Sequence, residues 1–190
     1  MDRTAEKIVN ATMELILESG YAAATTKDIA GRAGVNECTI FRKFGEKREI
    51  VTEGMKLPRW HPNVTESTFS DIVWDLRKDL TMFMENYMRE VTSEFVKLSI
   101  GLRSPQIYER TAPLIMNIPQ VFLSSLKKYL EEARRRGMTK DVDCGAVAEI
   151  LMSATFGFVF LSASFGDKLI VEERARYIAE TVETVVGGIA

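Results

Sequence analysis

The sequence predicts an all-α chain of about nine helices: an N-terminal three-helix helix-turn-helix domain followed by a larger helical C-terminal domain. Three observations predict it. Apolar residues recur at three- and four-residue spacing through most of the 190 residues. Strand patterns with period two are weak throughout. Helix caps, glycines and prolines punctuate the periodic stretches at regular intervals. Apolar residues make up 46% of the chain, enough to fill a sizeable core.

The first helix is expected over Arg3–Ser19, where Ile8, Ala11, Thr12, Leu15 and Ile16 form a buried stripe. Gly20 and Tyr21 lead out of it. Two short amphipathic helices follow, at about 26–33 and 37–44. Thr25 (or Thr26) caps the first, with Asp28 as its capping-box partner. Gly34 ends it where a positive φ is needed, Val35 enters the core and Asn36 caps the second. Ile29, Ala30, Ala33, Ile40, Phe41 and Phe44 supply the apolar side. Two such helices joined across an Ala-Gly-Val turn have the form of a DNA reader.

The outward face of that reader carries short polar groups and cations. Glu37, Thr39 and Arg42 are candidates for base edges. Thr26, Lys27, Lys43 and Lys47 are candidates for phosphates, with Asn36, Cys38 and Phe41 on the same surface. Residues 25–50 hold six cations against four anions, whereas residues 1–24 hold two against four. The basic excess therefore sits on the reader, although the whole chain has a net charge of −2.

The stretch ELILESGYAAATT and the segment TIFRKFGEKREIV resemble the tetracycline-repressor (TetR/AcrR-like) family of bacterial regulators. The resemblance covers about residues 3–55 and rests on architecture beyond. It implies a sequence-specific, DNA-binding homodimer, most often a repressor released from a palindromic operator by a small hydrophobic effector. The sequence departs at two places. Phe41 replaces the usual Tyr, whose hydroxyl touches a phosphate, and Cys38 stands where Gly, Ala or Pro is common. On this reading residues 1–60 form the DNA-binding domain and residues 61–190 the effector-binding and dimerisation domain.

Helix four is expected from about Glu46, stopping at Pro58. The Pro-rich run PRWHPNVTES at 58–67 then reads as the domain boundary, with the single histidine, His61, as a loop residue. A long helix is expected over Phe69–Thr92 and a shorter one over Glu94–Arg103. Residues 104–118 read as irregular, and a helix starts at Asn117-Ile118-Pro119-Gln120 and runs to Arg136. The triple Arg134–Arg136 complements a helix dipole before Gly137. The last helices are expected over Asp143–Phe165 and about Val171–Val186.

Between Ala146 and Phe165 the only charge is Glu149. Such a helix is apolar nearly all round. It reads better as buried on one side in its own domain and on the other in a second subunit than as a membrane span. Ala154, Gly157, Phe158, Leu161 and Phe165, with Ile178, Val182 and Val185 of the last helix, are the expected dimer interface. An effector pocket is expected between the helices from Phe69, Pro119 and Asp143, lined by Trp74, Phe83, Tyr87, Met88, Tyr108, Met116 and Phe122.

No nucleophile–base spacing, Gly-rich phosphate loop or metal-ligand cluster is present, so no catalysis, metal or cofactor is expected. The competing reading is an all-α ligand-binding or enzymatic protein using the helix-turn-helix as scaffold. Met1–Thr4 leads straight into a helix without a secretory h-region, and two distant cysteines fit a reducing cytoplasm. Oxidation of Cys38 or Cys144 as a control on binding stays open at this level.

Overall fold

The computed structural model describes residues 1–169 and 173–190. Among these, nine α-helices form in the order α1 (Arg3–Ser19), α2 (Thr26–Ala33), α3 (Glu37–Phe44), α4 (Lys47–Gly54), α5 (Leu76–Glu90), α6 (Ser93–Gly101), α7 (Tyr108–Arg135), α8 (Cys144–Phe165) and α9 (Arg174–Ile189). Short 3₁₀ turns lie at Glu66–Phe69 and Gly166–Lys168. The chain forms two compact units. One contains Met1–Pro62 and Glu94–Met116, the other Asn63–Ser93 and Asn117–Ala190. Residues 94–116 thus fold with the N-terminal segment, which no single cut near residue 60 describes.

In the first unit α1 packs on α2 and α4, and α2 on α3. Ile8, Val9, Met13, Ile16, Ile29, Ile40, Ile50 and Val51 are buried there. The Pro-rich boundary run contributes to this core. Trp60 is only 2% exposed, and its indole N–H donates to Asn10 Oδ1 at 2.9 Å. His61 stands edge-on to Phe95, and its Nε2 lies 3.1 Å from the Leu114 carbonyl.

Two helix boundaries differ most from expectation; α4 also ends at Gly54, short of Pro58. The helix expected from Phe69 begins at Leu76. Phe69 is buried, but from the 3₁₀ turn, so its apolar spacing mimics helix periodicity without helix geometry. Trp74 then takes φ +59°, outside a right-handed helix, and Asp75 caps α5 by accepting from the Lys78 amide at 3.1 Å. The second difference is α7, a 28-residue helix that includes both Pro113 and Pro119. Each proline removes one helical hydrogen bond. Burial of Thr111, Ile118, Phe122, Leu126, Tyr129, Leu130 and Ala133 at helical spacing outweighs that loss.

In the second unit α5 packs on α8 and α9, and α8 on α9. Ile178, Val182, Val186 and Ile189 form the buried stripe of α9. Ile178 and Val182, expected at the dimer interface, are therefore core of their own subunit, because one stripe cannot serve both. The expected start of this helix at Val171 lies outside the described residues. The arginine triple is engaged within the chain: Arg134 donates to the Val142 carbonyl at 3.1 Å, while Arg135 and Arg136 pair with Glu132.

Candidate nucleic-acid interface

The two reader helices form where the caps place them. The Thr25 hydroxyl accepts from the Asp28 amide at 3.1 Å and donates to the Asp28 carboxylate at 2.5 Å. Asp28 thus closes on the hydroxyl of the cap. α2 ends at Gly34, which is left-handed at φ 66° and ψ 40°. The Val35 amide reaches back to the Ala30 carbonyl at 3.0 Å, closing the turn. The side chain of Asn36 accepts from the Cys38 amide at 2.9 Å and starts α3. Ile40 is completely buried, which fixes the rotation of α3 and turns Cys38, Phe41, Arg42 and Lys43 outward.

The cations on this face are not equivalent. Arg32 makes a bidentate pair with Glu18 at 2.6 and 2.8 Å, and Arg48 pairs with Glu46. Lys43 donates to Asp2 at 2.6 Å, joining α3 to the cap of α1. Lys27 and Arg42 have no carboxylate partner among the described residues. They are exposed and are the unpaired cations of the two reader helices.

Lys47 has a different environment from the phosphate contact expected of it. Its ammonium donates to the Tyr21 and Ala24 carbonyls, each at 2.7 Å, and sits 4.0 Å from the centre of the Tyr21 ring. Burial pushes this ammonium below the ordinary lysine value. It bolts the start of α4 to the α1–α2 connection. The α4 N-terminus itself carries no side-chain cap, so its first amides are open to an anion.

Thr26 is also engaged: its hydroxyl donates to Glu37 Oε1, linking the first residues of α2 and α3. Thr39 is half-buried, and Phe41 is 50% exposed. Asp2 and Tyr21, which position Lys43 and Lys47, carry no signal in the sequence, since both act over long separations.

Residues 8–53 match the sequence profile of bacterial regulatory proteins of the tetR family. Over that segment the chain is similar to the N-terminal region of the family. Helices α2 and α3, Thr26–Ala33 and Glu37–Phe44, both lie within the matched segment. Over its full length the chain is 28% identical to YvkB of Bacillus subtilis (strain 168), an uncharacterized HTH-type transcriptional regulator, 99% of which is covered. Two solved structures share the fold. The tetR-family regulator PfmR of Thermus thermophilus has a TM-score of 0.68 at 19% identity, covering 98% of each chain. The regulator FadR of Bacillus subtilis, in complex with stearoyl-CoA, has a TM-score of 0.67 at 19% identity, covering 97% of this chain and 99% of the other.

The residues expected around an effector divide between the units. Phe83, Tyr87 and Phe122 come together in the second unit, with Phe122 5.0 Å from Tyr87 and 6.1 Å from Phe83 in edge-on contacts. Phe69 joins them, stacked on Phe83 at 5.2 Å. Met88 is buried in the same unit, and Trp74 stacks on Tyr129 at 5.7 Å. Tyr108 and Met116 belong to the first unit and are 44% and 48% exposed. Among the described residues no group of His, Cys, Asp or Glu is arranged to hold a metal ion. Cys38 is exposed on the reader, and Cys144 is buried at the start of α8.

Proposed function

We propose that this chain is a tetR-family regulator, a homodimeric repressor that holds a palindromic operator and releases it when a small hydrophobic molecule enters its C-terminal unit. The unpaired Lys27 and Arg42 on the reader surface are the observation that carries operator binding. Cations without internal partners can displace counterions from DNA and donate to guanine edges. A two-fold dimer would place two such surfaces about 34–36 Å apart, one duplex turn.

The outer side of α8 and α9 supports the dimer. Ile150 is 59% and Phe165 49% exposed, and nothing lies within 4 Å of where a Cβ on Gly157 would stand. Ala154, Phe158, Leu161 and Val185 are half-buried on these helices. An open groove of about 380 Å³ between them is lined by Ile150, Tyr177, Thr181, Thr184 and Val185, with the charged Arg176 and Glu180 also on its wall. A helix whose only charge between Ala146 and Phe165 is Glu149 gains by covering that side. On this reading Tyr177, Thr181 and Thr184 take the interface place expected of Ile178 and Val182.

The aromatic cluster of Phe69, Phe83, Tyr87 and Phe122 is the proposed effector region. One structural neighbour is in complex with stearoyl-CoA and another is a flavonoid-responsive regulator, so this fold accommodates apolar ligands. Coupling of about 1–3 kcal/mol would change operator affinity roughly 5- to 150-fold. Sedimentation of the purified protein together with mobility shifts on inverted-repeat duplexes tests the reading. A dimer that binds in a salt-dependent way and is released by an acyl-CoA or a flavonoid is expected. A monomer indifferent to every inverted repeat would overturn it.

A further inference from the structure

We infer that Glu37 selects a cytosine in each operator half-site and that Thr26 is the positioning residue that aims its carboxylate. The inference rests on the DNA-reading function proposed above. Thr26 opens α2 and Glu37 opens α3, and the Thr26 hydroxyl donates to Glu37 Oε1 across the turn. Both side chains are half-buried, so the bond lies at the edge of the reader surface. Among the described residues the other carboxylate oxygen, Oε2, accepts no hydrogen bond, and no lysine or arginine pairs with Glu37.

The first turn of a recognition helix is the part that approaches base edges. A carboxylate there is acceptor-only and needs a donor. In the major groove guanine offers N7 and O6, both acceptors, and thymine offers the O4 acceptor and a methyl group. Adenine places its N6 donor beside the N7 acceptor, which repels a carboxylate. Cytosine alone presents a donor without an acceptor beside it on the same base. An anion held toward phosphates also repels the duplex unless such a donor meets it. A restrained Glu37 therefore penalises every other base at its position.

Thr26 supplies the restraint. A glutamate at a helix start has three rotatable bonds, and the hydroxyl fixes one oxygen so that the second faces outward. Without the hydroxyl the carboxylate can turn to solvent when the wrong base is present, and discrimination falls.

The test is selection of duplexes from a random pool by the full-length protein, for the wild type and for Glu37→Gln, Thr26→Val and Thr26→Ser. The wild type is expected to enrich cytosine at one symmetry-related position in each half-site. E37Q should shift that position toward adenine, which glutamine contacts in a bidentate way. T26V should reduce the preference for cytosine about tenfold, T26S should keep it, and the ratio should move more than the affinity for a scrambled duplex. Two results overturn the inference: E37Q enriching the same bases as wild type at every position, or T26V weakening all sequences alike with the cytosine preference intact. Should T26V fail to fold, as judged by circular dichroism, the E37Q comparison still decides. A wild type that enriches no inverted repeat overturns the operator reading itself, and the cytosine inference with it.

Discussion

The buried carboxylate of Asp79 on α5 accepts a hydrogen bond from the Tyr129 hydroxyl of α7 at 2.9 Å. The same carboxylate accepts the Val73 amide at 2.8 Å and the Asp75 amide at 3.0 Å. These bonds bracket Trp74, whose positive φ is tolerated because both flanking amides are held. Trp74 stacks on Tyr129, and the Arg136 guanidinium lies 3.5 Å over its ring. Burial and Asp79 push the Tyr129 phenol well above its usual range, so it stays a donor at working pH. One carboxylate thus sets the entry to α5 and the contact of α5 with α7.

Removing it should be costly. Asp79→Ala would leave the buried Tyr129 hydroxyl and the part-buried Val73 and Asp75 amides without their acceptor, and should lower stability by about 2–3 kcal/mol. Tyr129→Phe deletes one bond to a charged acceptor and should cost about 1.5–3 kcal/mol. Urea denaturation followed by circular dichroism measures both. Equal stabilities for D79A and wild type would show that the carboxylate does not organise this loop.

Lys47 should act on stability rather than on phosphate. Lys47→Met keeps the apolar stem but leaves the Tyr21 and Ala24 carbonyls without their donor, a loss of about 1–3 kcal/mol. Burial depresses this ammonium in the folded state, so the unfolded chain binds the proton more tightly. Wild-type stability should therefore rise with pH as it approaches the ordinary lysine value of 10.5 from below, and K47M should lack that rise. The salt slope of DNA binding should be the same in both proteins. A slope lower by about 1 in K47M would make Lys47 a phosphate contact after all.

Asp2 holds Lys43 and is expected to compete with DNA for it. Its carboxylate caps α1 through the Ala5 amide at 2.9 Å and holds the Lys43 ammonium at 2.6 Å. Asp2→Asn keeps a good cap and removes the charge. Operator affinity should rise, and the salt slope should steepen by about 0.9 as Lys43 turns to a phosphate. The Lys43 ammonium and then the Ala5 amide hold the Asp2 carboxyl below its usual range. The pair is thus fully formed above the ordinary carboxylate value and is lost as pH falls through the depressed one. The affinities of D2N and wild type should converge only at that acidic end. Fluorescence anisotropy across salt and pH gives both readings.

The reader was legible in the sequence because its determinants are local. Caps at Thr25 and Asn36 and the Gly34 stop each act within one turn, and the observed bounds Thr26–Ala33 and Glu37–Phe44 coincide with those expected. The pairing of its cations was not legible. Asp2 meets Lys43 across 41 residues and Tyr21 meets Lys47 across 26, and composition alone counts every one of these charges as free. The start of α5 was misread for a related reason: Phe69, Ile72 and Val73 keep helical spacing, yet Asp79 draws the Val73 and Asp75 amides out of the helix. Residues 104–118 read as irregular and Pro119 as the first turn of a new helix, whereas the buried stripe of α7 carries one helix through both Pro113 and Pro119.

Gly101 is a further position that spacing does not reveal. It ends α6, and its carbonyl accepts the Tyr21 amide at 3.1 Å, joining α6 to the exit of α1. A Cβ at Gly101 would stand 2.9 Å from the Ile16 carbonyl oxygen, 3.4 Å from Ile16 Cγ2 and 3.5 Å from Gly20 Cα. The first and last of these are backbone atoms, which cannot rotate away. Gly20, at φ 82°, is itself confined to a conformation that other residues rarely adopt. Gly101→Ala must therefore push α6 away from α1, at about 1–3 kcal/mol, although alanine favours a helix. Gly54→Ala is the contrasting substitution. There the nearest atoms are Sδ and Cγ of the flexible Met13 side chain, at 2.8 and 2.9 Å, and a change of methionine rotamer can absorb the methyl group. The urea midpoint should fall clearly further for G101A than for G54A. The opposite order would mean that α6 is free to shift, and that the Tyr21–Gly101 bond does not fix the exit of α1 beside the reader.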